Sequence, residues 1–449
     1  MNDSLISKSS SVGRRQFLKT GALASGGILL APSIMKAQSS PNGKINLAIL
    51  GYGKQGEVLT TSMLEIDNPP FHIVAVCDIW KNSIGKCRSA LRTHNPGLKW
   101  YFDYKELIAA KDELDLDAVI VATPDFWHAR HTNACLKAGL HVFCEKMMAK
   151  TPDEARSMVR TARETGQLLQ IGHQRRSNPR YLHAYHNLTM RAKLLGRYTT
   201  ANGQWNRSAK PFREVNPRIA VDQAVLEENG FENMEQFLNW RWFRDLSGGP
   251  ISDLGSHQID IFNWFFNSLP KSVMASGGND YFHGREWYDN VMVLYEYDTP
   301  DGPARAFYQT LATTGAGGGY YEYFMGDEGG MRMSENPAFT KMYREYGAPK
   351  WDEWASKGFI RKEEAAAAKV QTKVDVRESA PPDAYDIPIV LDKKPHTPHL
   401  ENFFAAINGK AKLNSDGEHT FKSEMAIFRV NEAVAARTTI EFTEDDFKV

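Results

Sequence analysis

An apolar hexamer, Ile45 to Leu50, runs directly into Gly51-Tyr52-Gly53-Lys54-Gln55-Gly56, and few folds tolerate that junction. Buried-strand residues followed by G-x-G-x-x-G at the start of a helix make the fingerprint of a dinucleotide-binding unit. Gly51 permits the tight turn, Gly53 lets the backbone approach a pyrophosphate, and Gly56 allows the helix to pack on the strand. Lys54 and Gln55 open the helix, whose unpaired N–H groups face the phosphates. Asp78 follows the second apolar run, twenty-two residues after Gly56. There a carboxylate would accept hydrogen bonds from the adenosine ribose hydroxyls, which favours NAD over NADP because a 2′-phosphate would meet a negative charge. The competing reading is a glycine-rich turn in a fold that binds no nucleotide.

Strand-like runs recur at Phe71 to Cys77, Ala118 to Ala122, His141 to Cys144 and Leu168 to Ile171, with helical patterns at His128 to Ala138 and Pro152 to Thr165. Such βαβ punctuation predicts a doubly wound parallel sheet of the Rossmann type over residues 41–172. Beyond it, Arg197 to Trp205, Val273 to Gly277, Asn290 to Tyr297 and Ala304 to Thr310 read as strands, with a hairpin signal at Asp301-Gly302. Residues 173–449 are therefore expected to form an α+β domain with a large, mostly antiparallel sheet, a helix around Asp253 to Phe266 and helical stretches at Glu401 to Asn408 and Glu424 to Arg437. Glu335 to Pro395, rich in Lys, Glu and Pro, reads as irregular. The overall class is α/β.

Residues 1–40 stand apart. Arg14 and Arg15 precede a short apolar run, Thr20 to Pro32, too brief to span a bilayer, which reads as a signal peptide and not as a stable membrane anchor. Gly13-Arg14-Arg15-Gln16-Phe17-Leu18-Lys19 resembles the twin-arginine export signal, with Gly13 where Ser or Thr is usual. That resemblance implies the twin-arginine translocase as partner, a periplasmic or otherwise exported location, and export of a folded chain. An unstructured basic tail on a cytosolic protein is the alternative. Lys plus Arg and Asp plus Glu are 54 each, so bulk charge marks no nucleic-acid partner. The four cysteines follow no metal or redox spacing.

The chemistry-bearing residues fall in three places. The first is Ala122-Thr123-Pro124-Asp125-Phe126-Trp127-His128 with Ala138-Gly139-Leu140-His141-Val142-Phe143-Cys144-Glu145-Lys146. It is similar to the glucose–fructose oxidoreductase and inositol dehydrogenase family (Gfo/Idh/MocA), which carries T-P-x-x-x-H and A-G-x-H-V-x-x-E-K-P. The likeness covers essentially the whole chain after the signal and is strongest from Ile45 to Gly172. It implies that Thr123, Pro124 and His128 line the cofactor, and that Glu145 and Lys146 sit beside the nicotinamide ribose. The family's proline after the lysine is Met147 here. An ammonium at a strand's carboxyl end is well placed to bind an alcohol oxygen; the bland alternative is a surface lysine paired with Glu145.

The second place is Ser252-Asp253-Leu254-Gly255-Ser256-His257-Gln258-Ile259-Asp260. Asp253 and His257, four apart, would share one helix face, letting the carboxylate orient the imidazole. The family's D-x-G-x-H-x-x-D maps its aspartate and catalytic histidine onto Asp253 and His257, which with Lys146 would serve proton transfer at a sugar hydroxyl. A metal site on Asp253, His257 and Asp260, or a satisfied core histidine, are the rivals; no metal is expected, because no second cluster completes a shell. The third place, His173-Gln174-Arg175-Arg176 with Asn206, resembles family loops near the substrate, and inter-domain salt bridges would explain the arginines nearly as well. The sequence thus implies NAD-linked chemistry on a carbohydrate or cyclitol, with tightly held cofactor because export separates the enzyme from free NAD. A redox-neutral glycosidase working through a transient keto-sugar is the alternative. A homo-oligomer through the C-terminal sheet is expected.

Overall fold

The five apolar runs become the strands β1 (Ile45–Leu50), β2 (Phe71–Cys77), β4 (Ala118–Val121), β5 (His141–Cys144) and β6 (Leu169–Ile171), and a sixth strand that the pattern did not show, β3 (Lys99–Tyr101), joins them in a computed structural model that describes residues 43–208, 212–316, 319–363 and 382–449. All neighbours pair in parallel in the order β3-β2-β1-β4-β5-β6. Every residue of β1 and β4 is buried, as expected for strands covered on both faces. Strand order reverses between β1 and β4, and the crevice at their carboxyl ends is where such sheets take ligands. Between them the chain sets its own boundaries. Helix Pro152–Thr165, for example, starts with a Thr151–Glu154 capping box and stops at Gly166, φ 70°. Arg14 and Arg15 lie outside the described residues.

The second sheet has ten strands: β7 (Tyr198–Asn206), β8 (Pro270–Gly278), β9 (Asn290–Thr299), β10 (Gly302–Leu311), β11 (Tyr320–Gly326), β12 (Gly329–Met333), β13 (Lys341–Arg344), β14 (Arg361–Lys362), β15 (Asp383–Asp386) and β16 (Ile440–Glu441). Its pairs are antiparallel except β7 with β10. Helix Ser256–Phe266 lies on one face and buries Ile259, Phe262, Phe265 and Phe266. It comes close because residue 203 is glycine: a Cβ there would stand 2.7 Å from the Phe262 ring. Part of the stretch read as irregular proves ordered. Within it β13, β14 and β15 extend the sheet edge over buried Trp351, Ile360 and Tyr385. Strands of two to four residues leave too little period for sequence to reveal them.

Two features tie the halves together. Helix Thr397–Ile407 puts Leu400, Phe403, Phe404 and Ile407 into the core beneath β1 and β2, and helix Gly417–Ala436 puts Phe421 and Met425 into the core on the other face. The last part of the chain thus covers both sides of the first sheet. An excursion before helix Ser256–Phe266 reaches back as well. Leu226, Phe231, Met234 and Leu246 pack with Ile79 and Trp80, which follow β2, and with Phe126, which follows β4. Trp80 Nε1 donates to the Ile219 carbonyl at 2.5 Å and Trp127 Nε1 to that of Asn229 at 2.9 Å.

Candidate active site

The glycine loop is built from constraints of two kinds. Gly51 has φ 93°, and a Cβ on it would lie 2.8 Å from the Ala122 carbonyl; one on Gly56 would lie 2.2 Å from the Gly51 oxygen. Gly53 differs. A Cβ there would meet nothing within 4 Å, so no protein atom demands a glycine, while helix Lys54–Met63 begins at Gly53 without a side-chain cap. Open space before uncapped N–H groups fits a pyrophosphate. Asp78 accepts from the amides of Tyr52 and Trp80, both at 2.7 Å, and so fixes the loop. Burial pushes its pKa up to about 6, and a ribose diol would share the charge that the two amides hold. Thr123 sits above Gly51, and Pro124 caps helix Asp125–Lys137. Gln55 spends its amide on Glu145 at 3.0 Å and His396 at 3.1 Å, whereas Lys54 turns outward to Glu57.

His128 proves to be a positioning residue. Its ring is 1% exposed, with Nδ1 2.7 Å from the Met147 carbonyl and Nε2 2.7 Å from that of Thr123. Both nitrogens thus face backbone carbonyls, and because burial lowers its pKa the neutral ring donates its one N–H to either of them, between the Thr123-Pro124 turn and the turn after Lys146. The Lys146–Met147 peptide is cis. Glu424, from helix Gly417–Ala436, accepts from the Met148 amide at 2.8 Å and from His173 Nε2 at 2.9 Å. Glu145 accepts from the Lys146 amide at 3.2 Å, and the Lys146 ammonium crosses to the second half of the chain, where it donates to the Asp253 carbonyl and reaches its carboxylate at 3.4 Å.

Asp253 does not orient His257. Residues Ile251–Gly255 form a single π-helical turn before the α-helix begins at Ser256, so four-residue spacing no longer stacks the two side chains. Its carboxylate instead meets Lys146, Arg241 at 3.4 Å and Arg207 at 3.5 Å. Burial works against its charge, yet Lys146, Arg241 and Arg207 hold the carboxyl well below the usual carboxylate range. His257 stands close by with its ring 5.4 Å from that of Trp205 and 6.4 Å from that of His173. Its Nδ1 is buried with no hydrogen-bond partner among the described residues. Burial first, then Lys146 and Arg175, push its pKa well below the ordinary histidine value, so the ring is neutral.

Arg175 is 1% exposed and cannot reach a ligand directly. Its guanidinium pairs with Glu322 and, at 3.2 Å, with Glu335, and lies 5.6 Å from the rings of both Trp205 and Tyr320. It props the aromatic pair beside His257. His173 is equally enclosed, between Glu424 and Asp260, while Asp260 holds Arg176 through both oxygens. Asn206 is buried too, with its Oδ1 enclosed and without a partner among the described residues. Glu424, Arg207, Arg241 and His396 escape sequence reading. Only Arg207 had a cue, following Asn206 at the end of β7. Among the described residues no three His, Cys, Asp or Glu side chains gather as a metal-ligand set.

Residues 45–173 match the family model described as oxidoreductase family, NAD-binding Rossmann fold, and residues 218–331 match the GFO/IDH/MocA C-terminal domain. The chain is 26% identical over 181 residues to 2,7-anhydro-N-acetylneuraminate hydratase of Mediterraneibacter gnavus, covering 40% of this chain and 41% of the relative. It is 33% identical to D-glucoside 3-dehydrogenase of Escherichia coli, over 49% of this chain and 53% of the relative. These matches thus span about half the length of the curated relatives or less. The fold of aldose-aldose oxidoreductase from Caulobacter crescentus superposes with a TM-score of 0.66 at 18% identity, over 89% of this chain and 100% of that one. Two family models in chain order, on a six-strand NAD-type sheet followed by the large antiparallel one, leave one assignment: the chain belongs to the GFO/IDH/MocA oxidoreductase family.

Proposed function

We infer that this protein is an NAD-dependent oxidoreductase that oxidises or reduces one CH–OH position of a sugar, glycoside or cyclitol. The observation that carries the reading is the meeting of Lys146, from the end of β5, with Asp253 and His257 from the other half of the chain, at the mouth of the nucleotide crevice. NAD, when bound, supplies the hydride acceptor. Lys146 donates to the substrate oxygen and steadies negative charge growing there. Asp253 holds that ammonium in place. His257, neutral, takes the hydroxyl proton. Trp205, propped by Arg175, offers an apolar face to a sugar ring. The test is a screen of polyols and glycosides read by nicotinamide absorbance, with mass spectrometry of the nucleotide released on denaturation. Neither turnover nor bound nucleotide would end the reading.

Likeness to a hydratase supports a second reading, in which oxidation to a keto-sugar is transient, an elimination or hydrolysis follows, and the reduced nicotinamide would then return its hydride. Solvent deuterium appearing at the carbon next to the carbinol, without net NADH formation, would select it. The alternating exposed positions of the large sheet support a homo-oligomer. Met274, Leu294 and Phe307 stand side by side across β8, β9 and β10, with Met274 51% and Phe307 38% exposed. Phe307→Glu is expected to halve the sedimenting mass; a wild-type monomer would refute the contact. Export through the twin-arginine translocase belongs to the same proposal and rests on the Arg14-Arg15 segment alone. Replacing both with Lys is expected to leave precursor in the cytoplasm, and an unchanged exported yield on cell fractionation would remove this part.

A further inference from the structure

Asp253 is outnumbered. Lys146, Arg241 and Arg207 all converge on its one carboxylate, at 3.4, 3.4 and 3.5 Å. Among the described residues neither arginine has a second carboxylate partner, and their side chains are 54% (Arg207) and 44% (Arg241) exposed. They are nevertheless fixed. Arg207 directly follows β7, its amide donating to the Leu311 carbonyl at 2.9 Å, and the Arg241 guanidinium lies 4.3 Å from the Trp240 ring centre. With Asp253, Trp242, Pro250 and Ala312 they line a small, open pocket of about 40 Å³. The neighbouring acid, Asp125, adds little negative charge, because burial pushes its pKa up to about 7. A guanidinium carries five N–H donors, and each of these two uses one on Asp253. The corner therefore holds surplus positive charge and unused forked donors, the arrangement that recognises a carboxylate or a phosphate in bidentate fashion. A neutral ring docked there would strip water from that charge and return nothing.

We propose that Arg207 and Arg241 form a subsite for an anionic substituent, carboxylate or phosphate, on the substrate. The proposal rests on the oxidoreductase reading for the sugar-like ring that bears this group. It is tested by calorimetry on the NADH-loaded full-length protein with three probes: a methyl glucoside, the matching methyl glucuronide and glucose 6-phosphate. At least one anion is expected to bind ~10-fold or more tighter than the glucoside, the worth of a charge-assisted hydrogen bond, and more weakly as salt rises. Which anion wins separates a carboxylate from a phosphate. Arg207→Gln and Arg241→Gln are each expected to bring the anion-to-glucoside affinity ratio towards one. Should either fail to fold, as judged by its melting curve, Arg→Lys at the same position keeps the charge, loses the fork, and lowers the ratio by less. Equal or absent binding of both anions, or a preference that survives substitution at both arginines, overturns the proposal. If an anion binds as expected but no probe is oxidised when NAD+ is supplied in place of NADH, the subsite stands and the redox reading falls.

Discussion

Lys146→Ala lowers turnover by ~10²-fold or more and leaves NAD affinity nearly unchanged, if the ammonium acts on the substrate oxygen. His257→Ala is expected to cost as much. The double variant should lose less than the product of the two, since groups serving one proton transfer do not act independently. Asp253→Asn should cost less than either, because Lys146 keeps the backbone carbonyl of residue 253. The pH profile carries a further check. Burial, Lys146 and Arg175 push the His257 pKa well below the ordinary value, so its base form persists as pH falls through the neutral range. Activity is therefore lost only below that lowered pKa, and kcat/KM should show no acid limb near 6.5. A limb at 6.5 that vanishes in His257→Ala would mean the ring is solvated in the working enzyme, and near-normal turnover in His257→Ala would send the search for a base elsewhere.

The second large effect is expected at Gly53. Gly53→Val should fold with the wild-type melting temperature, because its Cβ meets no protein atom, yet bind NAD ~10²-fold more weakly, since the side chain fills the space before the helix N-terminus. Gly56→Val is the control for the opposite case: its Cβ lies 2.2 Å from the Gly51 oxygen, so stability itself must fall. Asp78→Ala, in the same titration, should lower the NAD-to-NADP affinity ratio by ~10-fold. NAD binding that survives Gly53→Val would remove the pyrophosphate from this loop.

What sequence revealed and what it hid divide along contact range. The glycine loop, five of the six parallel strands and the Glu-Lys strand end are written in neighbouring residues, and the structure has them where the pattern puts them; β3, three residues long with none buried, carries no such pattern. Asp253 and His257 were also read locally, through α-helical spacing, and the π-helical turn at Ile251–Gly255 undid that inference. Arg175 looked like a ligand-binding side chain because its partner Glu322 lies 147 residues further on. His128 looked like a cofactor contact because the carbonyls it holds are known only once β4 and β5 are side by side. Glu424, 276 residues from the amide it supports, left no local trace at all.

The late arrival of helices Thr397–Ile407 and Gly417–Ala436 has a consequence on the ribosome. All six strands of the first sheet have been synthesised by Ile171, but the side chains that complete the cover of its two faces come more than two hundred residues later. At roughly 5–20 residues per second, the apolar ground that Phe403, Phe404, Phe421 and Met425 will occupy stays open for roughly 10–50 s of synthesis. For that interval the nascent chain offers a sticky, half-finished layer to whatever holdase meets it, and a message cut short before residue 397 yields a sheet only part of whose faces its own helices cover.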